Sequence, residues 1–122
     1  MTITKNILVP GEHQRPIISD IFYSDNWVPK PVVIFCHGYK GFKDWGSWNL
    51  VANAFMEANM FFVKFNFSHN GGTVSNPIDF PNLEAFAENN YTKELDDLDA
   101  VISHLTAVDF KYKNEINTNN II

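Results

Sequence analysis

The stretch Pro31-Val32-Val33-Ile34-Phe35-Cys36-His37-Gly38-Tyr39-Lys40-Gly41-Phe42-Lys43-Asp44-Trp45-Gly46 constrains this chain more than any other. Five apolar residues, Val32 to Cys36, run without a polar break and stop at a loop carrying Gly38, Gly41 and Gly46. Such a run, opened by a proline and rich in β-branched and aromatic residues, reads as a strand buried on both faces. Glycine tolerates φ > 0 and lets other groups approach the backbone closely. A buried strand that ends in a glycine-rich loop and then a helix is where open α/β sheets place their ligands. The functional reading therefore starts at this loop.

Upstream, Ile3 to Val9 and Ile17 to Tyr23 are short strand-forming runs separated by Pro10-Gly11-Glu12-His13-Gln14-Arg15-Pro16. Turn formers at both ends of that spacer predict an antiparallel hairpin. Downstream, Ser47 is an N-cap for a helix in which Trp48, Val51, Ala52, Phe55 and Ala58 recur at helical spacing. Asn59, which tolerates the left-handed conformation, suits the C′ position. Met60 to Phe67 is a second nearly continuous apolar strand, and strand, helix, strand with short connections implies a right-handed crossover and parallel pairing. Ser68 to Asn90 reads as one long irregular loop, a length more often functional than incidental. Thr92 caps a further helix whose apolar face is Leu95, Leu98, Ala100, Val101, Ile102 and Leu105. Lys111 to Asn120, polar and asparagine-rich, reads as a loop. Asn119-Asn120-Ile121-Ile122 then looks like turn chemistry followed by the start of another buried strand, so the chain is expected to be an N-terminal portion of something longer.

With 122 residues there is room for one domain with a core, and too little chain to suggest two. An apolar content of 45% against 19% charged excludes disordered and fibrous classes. The net charge of −5 comes without basic clusters, which argues against nucleic-acid or anionic-membrane partners. No apolar run is long enough to span a bilayer. The N-terminus has no signal-peptide core, and Cys36, the single cysteine, cannot form an internal disulfide. The expected location is the cytoplasm.

The order of these elements and the residues of two loops resemble the α/β-hydrolase superfamily, its dienelactone-hydrolase-like and acylaminoacyl-peptidase-like serine hydrolases in particular. The matching features are the hairpin, then Val33-Ile34-Phe35-Cys36-His37-Gly38-Tyr39, then a helix. Val63-Lys64-Phe65-Asn66-Phe67-Ser68-His69-Asn70-Gly71 and the helix Glu94 to Val101 follow. The resemblance covers essentially the whole chain but only the N-terminal half of that fold. It implies a three-layer α/β/α arrangement with strand order 1-2-4-3, a fifth strand beginning at Ile121, and Val32 to Cys36 left as an unpaired edge. An unpaired edge and uncovered apolar faces predict a homo-oligomer.

Such a hydrolase needs a nucleophile, a base, an acid that orients the base, and donors for the oxyanion. No Gly-x-Ser-x-Gly occurs in these residues, and the family's Asp and His come later still. The resemblance implies that this chain supplies half of the oxyanion hole through the Tyr39 backbone N–H, supported by His37 and Gly38. The substrate would be a small acyl compound, a carboxylic ester or a relative, with no cofactor. The isolated chain is expected to be inactive. The other reading is a non-catalytic α/β binding or oligomerisation module, since function is set by sites grafted on a fold.

His37 reads as a structural histidine bonded to its loop, and Cys36 as an inert core thiol. His69 and Asn70, at the end of the second core strand, and Trp45 are candidates for the substrate pocket. His13, His37, His69 and His104 lie at no metal-ligand spacing, so no metal is expected. Glu94, Asp96, Asp97 and Asp99 read as a solvated helix face with favourable charge near the N-terminus. Gly71-Gly72 matches neither nucleotide-binding glycine motif.

Overall fold

A computed structural model describes residues 1–77 and 80–122. Ile78 and Asp79, which fall within the expected 68–90 loop, lie outside the described residues. The strands are β1 (Thr2–Val9), β2 (Ile17–Tyr23), β3 (Lys30–Cys36), β4 (Phe61–Asn66) and β5 (Ile116–Ile121); the helices are α1 (Trp48–Glu57), α2 (Leu83–Glu88) and α3 (Tyr91–Thr106). They form a mixed α/β fold on a five-stranded sheet of order β1-β2-β4-β3-β5. β1 and β2 make the antiparallel hairpin, β2 runs antiparallel to β4, and β3 is parallel to both β4 and β5.

Side chains alternate across a strand, so β4 divides the core. Phe61, Val63 and Phe65 join Ile17, Ile21, Val32, Val101 and Leu105 in the larger cluster, which α3 completes. Phe62 turns the other way to join Phe22, Val33, Ala52 and Met56, the last two from α1. Each such fully buried large side chain contributes about 1.5–3 kcal/mol. Among the described residues no helix is long and apolar enough to cross a membrane.

Three expectations about elements are corrected. The 111–120 loop is instead a short 3₁₀ turn at Lys113–Glu115 followed by β5, which takes in Asn119 and Asn120; an Asx bond from Asn119 N–H to Asn117 Oδ1 at 3.1 Å falls within the strand's irregular middle. β3 is therefore no edge: β5 pairs with it, and Ile122 N–H donates to the Val32 carbonyl at 2.8 Å. Asparagine is depleted in strands; β5 is anchored to β3 at Ile116 and Ile121, with an irregularity between them that takes up residues 117–120. Secondly, the stretch after β4 is not irregular throughout, because it contains α2. Asn82 caps that helix, its Oδ1 accepting from Ala85 N–H at 3.0 Å. Thirdly, α3 starts at Tyr91 and is capped by Asn90, not Thr92; Asn90 Oδ1 accepts from Lys93 N–H at 2.9 Å. Ser47 does occupy the N-cap of α1, but its side chain makes no capping bond. Asn59 is left-handed, with φ 61°.

Candidate functional site

The carboxyl ends of β3 and β4 meet beneath the glycine-rich loop. Gly41 N–H donates to the Gly38 carbonyl at 2.9 Å, closing a four-residue turn over residues 38–41 with Lys40 at φ 59°. In such a turn the first carbonyl and the last amide bond each other, which leaves the amides between them free. Among the described residues no acceptor takes the Tyr39 amide. Gly41 is required as glycine, because a Cβ there would lie 2.8 Å from the Gly38 carbonyl oxygen.

His37 pins one side of the turn. Its Nδ1–H donates to the Gly38 carbonyl at 2.9 Å, and its Nε2 accepts from Phe67 N–H at 3.3 Å. That pair of contacts demands the neutral Nδ1–H tautomer. Burial lowers the His37 pKa, against the upward pull of the Gly38 carbonyl and of Glu94.

The other side of the turn is pinned by a buried ionic network that sequence reasoning missed. The β2–β4 register sets Asp20 directly opposite Lys64. Lys64 Nζ donates to Asp20 Oδ2 at 2.9 Å and to Asp44 Oδ1 at 2.9 Å; Lys43 Nζ reaches Asp20 Oδ2 at 3.1 Å and Asp44 Oδ2 at 2.6 Å. Asp20, Lys43 and Lys64 are wholly buried, and two cations face two carboxylates, so the group is neutral as a whole. Burial pushes the Asp44 carboxyl up, but bonds to and charges on Lys43 and Lys64 outweigh it and hold the pKa down at about 2. A bulge in β1, with Asn6 at φ 57°, turns the Asn6 N–H onto Asp20 Oδ1 at 2.8 Å. Lys43 N–H also donates to Asn66 Oδ1 at 2.7 Å. The signal was legible in part: Lys64 interrupts an apolar strand and Asp20 sits mid-strand in β2, and a buried charge requires a partner.

A cavity of about 740 Å³ opens beside the turn, lined by His37, Gly38, Tyr39, Phe86, Tyr91 and Glu94, with Ala87, Asn89 and Asn90. Three of the candidate residues, His37, Gly38 and Tyr39, therefore come together. Trp45, His69 and Asn70 do not line this cavity. Trp45 is exposed. Asn70 stitches its own loop, its Oδ1 accepting from Gly72 N–H at 2.9 Å. His69 is buried, with Ser68 Oγ 2.9 Å from its Nδ1, and burial, then Lys93 and Arg15, lower its pKa. The residues missed, Phe86, Ala87, Asn89, Asn90, Tyr91 and Glu94, come from α2, the start of α3 and the two asparagines between them. Their signal was the helix-forming run Leu83-Glu84-Ala85-Phe86-Ala87-Glu88 bracketed by Asn82 and Asn89.

Two readings of single residues are corrected. Cys36 is not a core thiol but is exposed at the tip of β3, because the strand ends there; partial burial, then Glu94, raise its pKa. Asp97 is not on a solvated face. It is buried, and its Oδ2 accepts from Ser68 N–H at 2.7 Å, tying α3 to the end of β4; burial raises its pKa against that bond. Glu12, His13 and Asp96 bring one ligand atom each within 4.8 Å of one another. Sequence spacing among histidines alone could not reveal this, since the hairpin turn and α3 supply the parts. Within the group His13 Nε2 and Asp96 Oδ2 are in hydrogen-bond contact at 2.8 Å.

No family model matches the chain, and no curated protein matches it either.

Proposed function

We propose that this chain is the oxyanion-binding part of a serine hydrolase acting on carboxylic esters or related acyl compounds, with three-layer α/β/α packing. The observation that carries the reading is the Tyr39 N–H, without an acceptor among the described residues, in a turn at the tip of β3 beside a cavity large enough for a small acyl ligand. Its support is rigid on both flanks: His37 bonds backward to the turn and across to β4, while Lys43 and Asp44 sink into the buried ionic network. A donor held in advance where negative charge develops lowers the barrier by about 3–4 kcal/mol, because nothing must reorganise as the reaction proceeds. The serine, with the second donor N–H behind it, would follow β5, which lies beside β3 in parallel. We also propose that copies of the chain associate: the outer edge of β5 leaves backbone groups unpaired.

The codons after Ile122 test the assignment. A Gly-x-Ser-x-Gly within the next few residues is expected, and a stop codon there would sink it. In that longer product Tyr39→Pro removes the N–H yet suits the second position of a turn. It is expected to lower kcat for p-nitrophenyl acetate by roughly 100- to 1,000-fold with KM little changed. The 122-residue chain alone is expected to show no turnover.

A further inference from the structure

The cavity beside the turn has an unusual lining for an acyl site. Three aromatic rings border it, and two of them stand in water: Tyr39 is 84% and Tyr91 85% exposed. The third, Phe86, packs against Tyr39 with ring centroids 5.8 Å apart. Glu94 is the one acidic or basic side chain among the lining residues besides His37, and His37 is held neutral by the bonds described above. Glu94 Oε2 accepts from Asn89 Nδ2 at 3.1 Å, which fixes the carboxylate at the cavity wall. Asn89 Oδ1 is buried and has no donor among the described residues. Of the neighbouring cations, one is bound to backbone and the other lies over one face of the Tyr39 ring. Lys93 Nζ donates to the Glu88 carbonyl at 2.8 Å, and Lys40 Nζ sits 5.6 Å from the Tyr39 ring centre.

Aromatic faces and one carboxylate around an open cavity attract an organic cation, the ring quadrupoles and the charge acting in the same direction. The same lining repels a carboxylate. We infer that the ligand of this cavity carries an ammonium group, primary or quaternary, seated between Glu94 and the rings of Tyr39, Phe86 and Tyr91. In calling that ligand the acyl substrate, the inference rests on the hydrolase reading; the preference for a cation does not.

The experiment is an amide-resolved NMR titration of the 122-residue chain with benzyltrimethylammonium, benzyl alcohol and phenylacetate, three probes that share one ring and differ in charge. Saturable shifts at residues 37–39 and 86–94 are expected with the ammonium, at least ten-fold weaker binding with the alcohol, and none with phenylacetate. Glu94→Gln is expected to weaken ammonium binding about ten-fold, and Tyr91→Leu at least three-fold, with the amide spectrum otherwise preserved. Equal binding of phenylacetate, shifts confined to other residues, no binding of any probe, or undiminished binding in both variants would each overturn the inference. If Glu94→Gln fails to fold, Tyr91→Leu on the rim carries the same comparison. None of these outcomes bears on the codons after Ile122 or on Tyr39→Pro, so the two readings fail separately.

Discussion

Asp20 has no exposure to water and bonds two lysines and a backbone amide. Removing this carboxylate leaves two buried cations sharing Asp44 alone, an excess of one buried positive charge that costs about 3–5 kcal/mol. Asp20→Ala is therefore expected to lower the urea midpoint by that equivalent, and Asp20→Ala with Lys64→Met to recover part of the loss. Asp44 sets the acid limit at the same place. Its folded pKa of about 2 lies below the ordinary 3.8. Its stabilising contribution is complete above the ordinary value and is lost as pH falls from there toward about 2. Urea midpoints measured down that range should fall, with a shallower slope in Asp44→Asn; an identical slope would remove Asp44 from the account. Lys64 breaks an apolar strand and Lys43 has Asp44 beside it in the chain, but the carboxylate both lysines share, Asp20, is distant from them in sequence. The β2–β4 register is what sets Asp20 opposite Lys64.

The turn over residues 38–41 and the elements around it carry the site. Gly41→Ala would press a Cβ to 2.8 Å from the Gly38 carbonyl oxygen, and a backbone atom cannot give way as a flexible side chain can. A loss of about 1–3 kcal/mol is expected in urea unfolding, with amide shifts centred on residues 37–42. Wild-type stability in this variant would mean that the turn is not held closed. The strands β1 to β4, the hairpin, α1 and the body of α3 were legible because their apolar residues recur at strand or helix period. α2 was hidden by its six-residue length and β5 by its asparagines. A polar strand satisfies no periodic pattern; here its two ends, at Ile116 and at Ile121-Ile122, are anchored to β3.

On the scale of the whole molecule, β5 moves the exposed sheet edge away from β3. The outer face of the new edge is polar, with Thr118, Asn119 and Asn120 exposed. Such an edge can still add a strand from a second copy. Light scattering on the eluting peak is expected to give a multiple of 14.0 kDa, and a single 14.0 kDa species at high concentration would remove the association. The sequence by itself determined the mixed α/β character, the hairpin, the succession of β1 to β4 along the chain and the glycine-rich turn after β3. These follow from apolar periodicity and from the few residues that tolerate tight turns. Tertiary structure alone decided the rest: that Asp20, Lys43, Asp44 and Lys64 neutralise one another, that α2 and α3 wall the cavity with Phe86, Tyr91 and Glu94, and that an asparagine-rich tail becomes a strand. Each of these depends on which distant groups face each other, and local composition does not encode that.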